Sequence, residues 1–407
     1  MTAVTPGPTG AVDPTGAVDP GGVVDPELHA SGEVYELWRW MRRHAPVHWH
    51  EPGDLPGFWS LTRYEDIRDV YQNPAVFSSE RGVLLRPTEL GEDPGSGLTM
   101  ALTDPPRHRA LRGQVADRFS ERCARSLAGE LRAEIRAVVT SAVASGTCDV
   151  VHDIGARLSG LNIGRLLGVP PEDRERLLTW TTEAFESGKP LTGHLPLMRY
   201  FIELMYARME EPADDAMGMF VNNEVRGELS TETEILLGVE NLVGASENAG
   251  LSMAAGILAL AAHPRQWERL VRERDGGLVR TAAEEVLRWT SSATHSMRTA
   301  TVDTVLGGRH IAAGDRVVLW IPSANRDESV FRDPDRFDLG RQPNRHLALG
   351  TGEHVCIGST MARHQTRMLL ETLAEQVAVV EPVGDPEPLR SITVNGPAHA
   401  TVRLIAR

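Results

Sequence analysis

Along most of the chain, apolar residues recur at three- and four-residue spacing, the mark of helices that bury one face. The pattern predicts helices over 33–44, 64–72, 105–119, 121–145, 171–187, 194–211, 232–262, 264–273, 279–290 and 358–377. Short β-rich runs are fewer: 47–49 and 58–61 read as a hairpin, and 316–320 and 391–404 as further small sheets. Over 232–262, Thr231 and Glu234 form a capping box and Pro264 a stop. Its apolar residues, among them Ile235, Val239, Leu242, Leu251 and Ile257, spread around most of the circumference, as in a helix that crosses the interior. The fold class is therefore mainly α with small β-sheets. Residues 1–26 repeat Thr-Gly-Ala-Val-Asp-Pro with little to bury and read as a disordered Gly/Pro-rich tail. No Ser-, Gly- or Pro-rich linker divides the remainder, so 27–407 reads as one domain.

Composition narrows the function. Lys and Arg total 42 against 56 acidic residues, and a net charge of -14 argues against a nucleic-acid or anionic-membrane partner. No run approaches the roughly 18 apolar residues of a spanning helix, and no charged segment precedes an apolar one at the N-terminus, so a cytoplasmic location is expected. The three cysteines, Cys123, Cys148 and Cys356, are too few and too scattered for a disulfide framework, a four-cysteine zinc site or an iron–sulfur cluster.

Cys356 is the exception among them. It sits in His346-Leu347-Ala348-Leu349-Gly350-Thr351-Gly352-Glu353-His354-Val355-Cys356-Ile357-Gly358, with Met361-Ala362-Arg363 opening a helix. A cysteine just before a helix N-terminus meets backbone N–H groups and the positive end of the dipole, which favour its thiolate. Gly350, Gly352 and Gly358 are expected to take positive φ angles and to let the backbone approach a flat macrocycle. The segment resembles the haem-binding loop of the cytochrome P450 family, Phe-Gly-x-Gly-x-His-x-Cys-x-Gly, with Leu349 where the family has an aromatic residue beside the sulfur. That departure bears on redox potential and oxidant lifetime. The resemblance implies a P450-like single-domain fold with the long helix over the haem, haem b (iron protoporphyrin IX) as cofactor, Cys356 as metal ligand, and Leu349, Gly350 and Gly358 around it.

Further segments extend the resemblance over roughly 30–407. Glu285-Val286-Leu287-Arg288 is similar to the family's Glu-x-x-Arg, whose i,i+3 pair forms a buried ion pair. Asn325-Arg326-Asp327 through Phe337 resembles the meander whose arginine completes that network, here assigned to Arg336. Asp104 through Arg112 looks like the helix that points His108 and Arg112 at a haem propionate, joined by Arg298 and His354. On the long helix, Gly244-Ala245-Ser246-Glu247-Asn248-Ala249 stands where the family has Ala-Gly-x-Asp/Glu-Thr. The resemblance implies a groove for dioxygen and substrate at Gly244 and Ala245, proton delivery by Glu247, and Asn248 in the place of the alcohol, with Ser246 or Ser252 as compensating hydroxyls. Substrate contacts are expected from 82–103, 170–205, 241–248, 291–297 and 391–397. Polar Thr294, His295, Thr393 and Asn395 there point to a ligand with hydrogen-bonding groups.

The expected function is that of a monooxygenase. It would use dioxygen and electrons from a ferredoxin-type donor with its reductase to hydroxylate or epoxidise a small organic substrate, free or bound to a carrier protein, in specialised bacterial metabolism. The alternative within the same fold is oxidative coupling, cyclisation or desaturation without net oxygen insertion. Arg109, Arg345, Arg363 and Arg367 are expected to form a basic patch for an acidic donor. Two readings of other classes are a non-haem metal enzyme built on His346, His354 and Cys356, and a haem-binding sensor without catalysis.

Overall fold

Helices carry most of the computed structural model, which describes residues 18–91, 93–186, 194–274 and 277–407. In chain order they are α1 (Pro26–Ser31), α2 (Val34–His44), α3 (Tyr64–Tyr71), α4 (Arg107–Val115), α5 (Glu121–Ser145), α6 (Arg157–Leu167), α7 (Arg174–Glu186) and α8 (Leu195–Glu210). They continue as α9 (Ala216–Asn222), α10 (Glu232–Ala262), α11 (Pro264–Glu273), α12 (Leu278–Thr290), α13 (Ile321–Ala324) and α14 (Ser359–Gln376). The strands are short. β1 (Val47–His50), β2 (Phe58–Leu61), β3 (Phe77–Ser78), β5 (His295–Ala300) and β8 (Arg316–Trp320) form one sheet in the order β1-β2-β8-β5-β3. Its hairpin pairs Val47 with Leu61, and β8 adds to β2 in parallel. β4 (Thr147–Asp149), β9 (Val377–Pro382) and β12 (Thr401–Ala406) form a second sheet with β12 in the middle. β6 (Thr304–Leu306) pairs with β7 (Arg309–Ile311), and β10 (Glu387–Pro388) with β11 (Pro397–His399).

α10 runs through the main hydrophobic core, with Val239, Val243, Ala254, Ile257 and Leu260 almost wholly buried. The capping box at Thr231 and Glu234 is present. Glycines set how closely its neighbours approach. A Cβ on Gly155 would lie 2.4 Å from the Gly250 carbonyl oxygen, and one on Gly256 would lie 2.7 Å from a Val286 methyl. The π-helical segment Val150–Ala156 and α12 therefore rest directly on the α10 backbone.

Several elements differ from the periodicity. α1, α6, α9 and α13 fall outside the predicted helices; in α6, Gly160 and Gly164 depress helix propensity and the apolar residues face inward on all sides. Those glycines let α7 close in: a Cβ on Gly160 would meet Leu178 at 2.8 Å. The 105–119 prediction resolves into α4 and a separate 3-10 turn, Ala116–Phe119. The expected disordered tail, residues 1–26, is ordered where it is described. Residues 1–17 lie outside the described residues, whereas Pro20–Val24 forms a 3-10 turn capped by Asp19, with Val23 fully buried in the cluster of Leu28, Leu37, Trp38 and Met41. Among the described residues no helix is long and apolar enough to cross a membrane.

Candidate functional site

The loop before α14 presents Cys356. Its amide donates to the Leu349 carbonyl at 2.9 Å, closing the loop on itself. Gly350 and Gly352 adopt φ of 65° and 74°, the left-handed region that glycine tolerates without strain. Gly358 has φ of -78°, contrary to expectation. A Cβ there would stand 3.8 Å from the Cys356 sulfur, an ordinary contact, so neither backbone angle nor space demands glycine at this position. The Cys356 side chain is exposed, yet its exposure is to a cavity deep in the fold. Burial pushes the thiol up, outweighing the Gly358 amide, Arg112 and Arg363, which act in the thiolate's favour. The expected depression by the helix terminus is therefore overridden by burial. A thiol that coordinates a metal is deprotonated outright, which removes that penalty.

Arg298 and His354 line this cavity, while His108 and Arg112 line an adjoining surface hollow with Gly352 and Glu353, so cationic and N–H groups gather where the two meet. His108 on α4 and His354 in the cysteine loop lie ring to ring, 4.0 Å between centroids. Arg298 on β5 is buried above the Tyr71 ring, 5.3 Å away. Burial first, then Arg298, His108 and Arg112, hold His354 down to about 3. Burial also lowers His108 and Arg112. Nearby carboxylates are occupied: Glu353 pairs with Arg109, and Asp104 accepts from the Ser78 hydroxyl and the Ser79 amide. Both ring nitrogens of His108 are buried without a partner. Such a cluster calls for an anion with several acceptor oxygens, and the two propionates of haem b meet that need. Cys356, Leu349, Gly350, His354, Gly358 and Arg298 line one cavity, with a soft sulfur ligand and a cationic end, so the residues present fit haem b.

Beneath the loop, Glu285 and Arg288 are fully buried and share two hydrogen bonds of 2.8 Å. Arg288 also donates to the carbonyls of Asn325 and Pro334. The second guanidinium on Glu285 belongs to Arg341, at 3.1 Å, and not to Arg336. Arg336 contributes only its carbonyl oxygen, which accepts from Arg341 and Arg288. The arginine that turns inward thus lies four residues beyond the segment ending at Phe337, and packing selects it.

On the opposite side of the cavity, α10 contributes Ala245, Ser246, Asn248, Ala249 and Ser252, while Gly244 lies outside the wall. Ser246 donates to the Val243 carbonyl at 2.7 Å and Ser252 to the Ser292 hydroxyl at 3.0 Å, so both protons are engaged. The Asn248 amide nitrogen reaches back to the Ala245 carbonyl at 3.4 Å, and its Oδ1 is buried with no partner. Glu247 lines a different cavity of about 270 Å3, behind α10. Burial raises its carboxyl to about 7. The unfolded chain loses this proton near pH 4.5, whereas the folded chain keeps it until about pH 7. Across that window the native state binds more protons, so stability falls as pH rises. Glu247→Gln is accordingly expected to stabilise the fold at pH 8 and to leave it unchanged at pH 4, as read from urea melts at the two pH values.

The other substrate positions are placed differently. Thr294 is fully buried and outside the cavity wall. His295 lines the cavity, but its Nδ1–H donates to the Ile392 carbonyl and its Nε2 accepts from the Leu85 amide, so burial holds it neutral, down to about 4. Thr393 faces a separate hollow beside Trp49 and Phe58. The Asn395 amide donates to the Thr290 carbonyl and the Tyr35 hydroxyl. Missed by sequence reasoning are Ser159, Asn162 and Ile163 of α6, which line the cavity. The polar interruption at Asn162 in an apolar run was the available signal. Of the four surface arginines, Arg109 pairs with Glu353 and Arg363 with Glu284, and Arg367 donates to the Arg363 carbonyl. The His346 ring is held by Glu284. Among the described residues, His346, His354 and Cys356 do not gather as a three-ligand metal group.

The family model described as Cytochrome P450 matches residues 197–393. Cytochrome P450 NovI of Streptomyces niveus is 33% identical over 386 residues, covering 93% of this chain and 94% of that protein. The Steroid C26-monooxygenase of Mycolicibacterium smegmatis is 33% identical over 390 residues, covering 92% and 93%. In three dimensions the chain is similar to P450 OxyD, a protein involved in the biosynthesis of vancomycin-type antibiotics. The TM-score is 0.87 and the identity 34%, with 94% of this chain and 99% of that one covered. Likeness of this degree runs through nearly the whole length and coincides with the cysteine loop and its cationic surroundings, and on that ground the chain belongs to the cytochrome P450 family and is a haem b monooxygenase.

Proposed function

We propose that this enzyme inserts one atom of dioxygen into a C–H bond or double bond of a small organic molecule that carries a hydrogen-bond donor, in specialised bacterial metabolism. The observation that carries the reading is Asn248, whose buried Oδ1 lacks a partner on the wall of the Cys356 cavity. A buried acceptor left unpaired costs about 1–3 kcal/mol, so a water or a substrate O–H or N–H is favoured there. When bound, haem b with its thiolate ligand supplies dioxygen cleavage. Cys356 would hold the iron, and His108, Arg112, Arg298 and His354 would hold the propionates. Asn248 orients the donor that hands on a proton, and Glu247, raised to about 7, supplies protons from behind α10. Electrons come from a ferredoxin-type donor with its reductase.

The names of similar proteins support a biosynthetic setting: OxyD is involved in the biosynthesis of vancomycin-type antibiotics. They also include the Linalool 8-monooxygenase of Pseudomonas putida, 31% identical over 399 residues, which supports insertion into a small molecule. One observation favours oxidative coupling or desaturation instead. No hydroxyl stands at position 248, and the protons of Ser246 and Ser252 are already engaged. Product mass separates the two readings, with a gain of one oxygen atom for insertion and a loss of hydrogens for coupling. With a converted substrate in hand, Asn248→Ala is expected to lower product formed per dioxygen consumed by roughly 10-fold or more. Unchanged coupling removes Asn248 from the mechanism.

A further inference from the structure

Away from the haem cavity, Asp149, His152 and His399 meet where β4, the π-helical segment and β11 converge. One ligand atom from each lies within 4.8 Å of the others. The Asp149 carboxylate is fixed: Oδ1 accepts from the Val151 amide at 2.9 Å and the Ala400 amide at 3.2 Å, while Oδ2 faces the His399 Nδ1 at 2.9 Å. The second sheet locks this arrangement, because Asp149 pairs with Thr401 two residues beyond His399. The His152 ring stacks on that of His399, 4.7 Å between centroids at 30°. Its Nε2 is buried and has no hydrogen-bond partner.

We propose that Asp149, His152 and His399 form a site for a zinc-type divalent cation, apart from the haem and independent of the function assigned to it. Two imidazoles and one carboxylate select a borderline transition metal over calcium or magnesium, which prefer oxygen ligands. Tetrahedral zinc at about 2.0–2.2 Å from each ligand sets the ligand atoms about 3.3 Å apart. The Asp149–His399 contact is already near that value, so a rotation of the His152 side chain that brings its nitrogen in by at most about 1.5 Å completes the set. The two amides on Asp149 Oδ1 orient the carboxylate as outer-sphere partners do in built metal sites. Access is provided from both sides. His152 lines a surface hollow beside Cys148 and Arg157, and both histidines line the cavity that contains Glu247, which leaves a fourth position for water or a further ligand. Bound metal would clasp β4, the π-helical segment and β11 together, close to the seat of α10.

The experiment uses the haem-loaded full-length protein, stripped with a chelator and titrated with zinc chloride in a calorimeter. One equivalent is expected to bind with micromolar or tighter affinity and to raise the melting temperature. His152→Ala and His399→Ala are each expected to weaken this binding roughly 100-fold or more. His310→Ala, in an exposed pair with Asp303, is the control and keeps it. Haem content reports that each variant is folded. If His399→Ala loses haem, His152→Ala decides, since its buried Nε2 has no partner to forfeit. Zinc binding that is weak in the unaltered protein, or that survives His152→Ala, overturns the proposal.

Discussion

Replacing Cys356 with alanine is expected to abolish turnover and to remove the spectral mark of thiolate ligation. The sulfur is the soft donor atom in a cavity whose other polar groups are cations, imidazoles and neutral hydrogen-bonding side chains, so no neighbour can take its place with equivalent charge. The wild-type protein, reduced and exposed to carbon monoxide, should show the strongly red-shifted Soret band of thiolate-bound haem. Cys356→Ala should show an imidazole-type band or lose the pigment. Because burial disfavours an uncoordinated thiolate here, the variant folds without a buried charge to accommodate, and its far-ultraviolet circular dichroism should stay native. A variant with unchanged pigment and unchanged absorption maxima would falsify the assignment of the ligand.

The second large effect concerns stability. Glu285→Ala is expected to cost about 3–5 kcal/mol, a large share of the 5–15 kcal/mol that typically holds a folded domain. Its two carboxylate oxygens accept from Arg288, Arg341, Asn344 and the Asp338 amide, and neither Glu285 nor Arg288 has any exposed surface. Removing the carboxylate strands one fully buried guanidinium and a second that is 8% exposed, along with an amide and a side-chain donor. Urea unfolding should show the loss, accompanied by poor haem retention, since the residues this network holds include Asn325, whose Oδ1 accepts from the Leu347 amide at the start of the cysteine loop. Arg341→Ala should reproduce much of the effect, while Arg336→Ala should be nearly neutral because only its backbone is used. A deficit under 1 kcal/mol for Glu285→Ala would show that the network carries no net stability.

The sites legible in the residues themselves are those in which helix geometry does the placing. Glu285 and Arg288 are three apart and His108 and Arg112 four apart, so each pair shares a face wherever its helix goes. The cysteine loop is legible because glycine is needed at φ of 65° and 74°, and the long central helix because its capping box and proline stop are local chemistry.

Adjacent residues of one helix diverge by about 100°, and that rotation alone sends Asn248 toward the cysteine cavity and Glu247 into the cavity behind it. No spacing rule reveals which face meets which wall until α6 and α12 have packed against α10. Equally, whether Arg336 or Arg341 reaches Glu285 depends on how a coil folds back over more than 50 residues, and the meeting of Asp149 with His399 spans 250. Short-range order is written in periodicity because backbone hydrogen bonds repeat every few residues; contacts between distant segments follow from the packing of the whole chain, which no local pattern encodes.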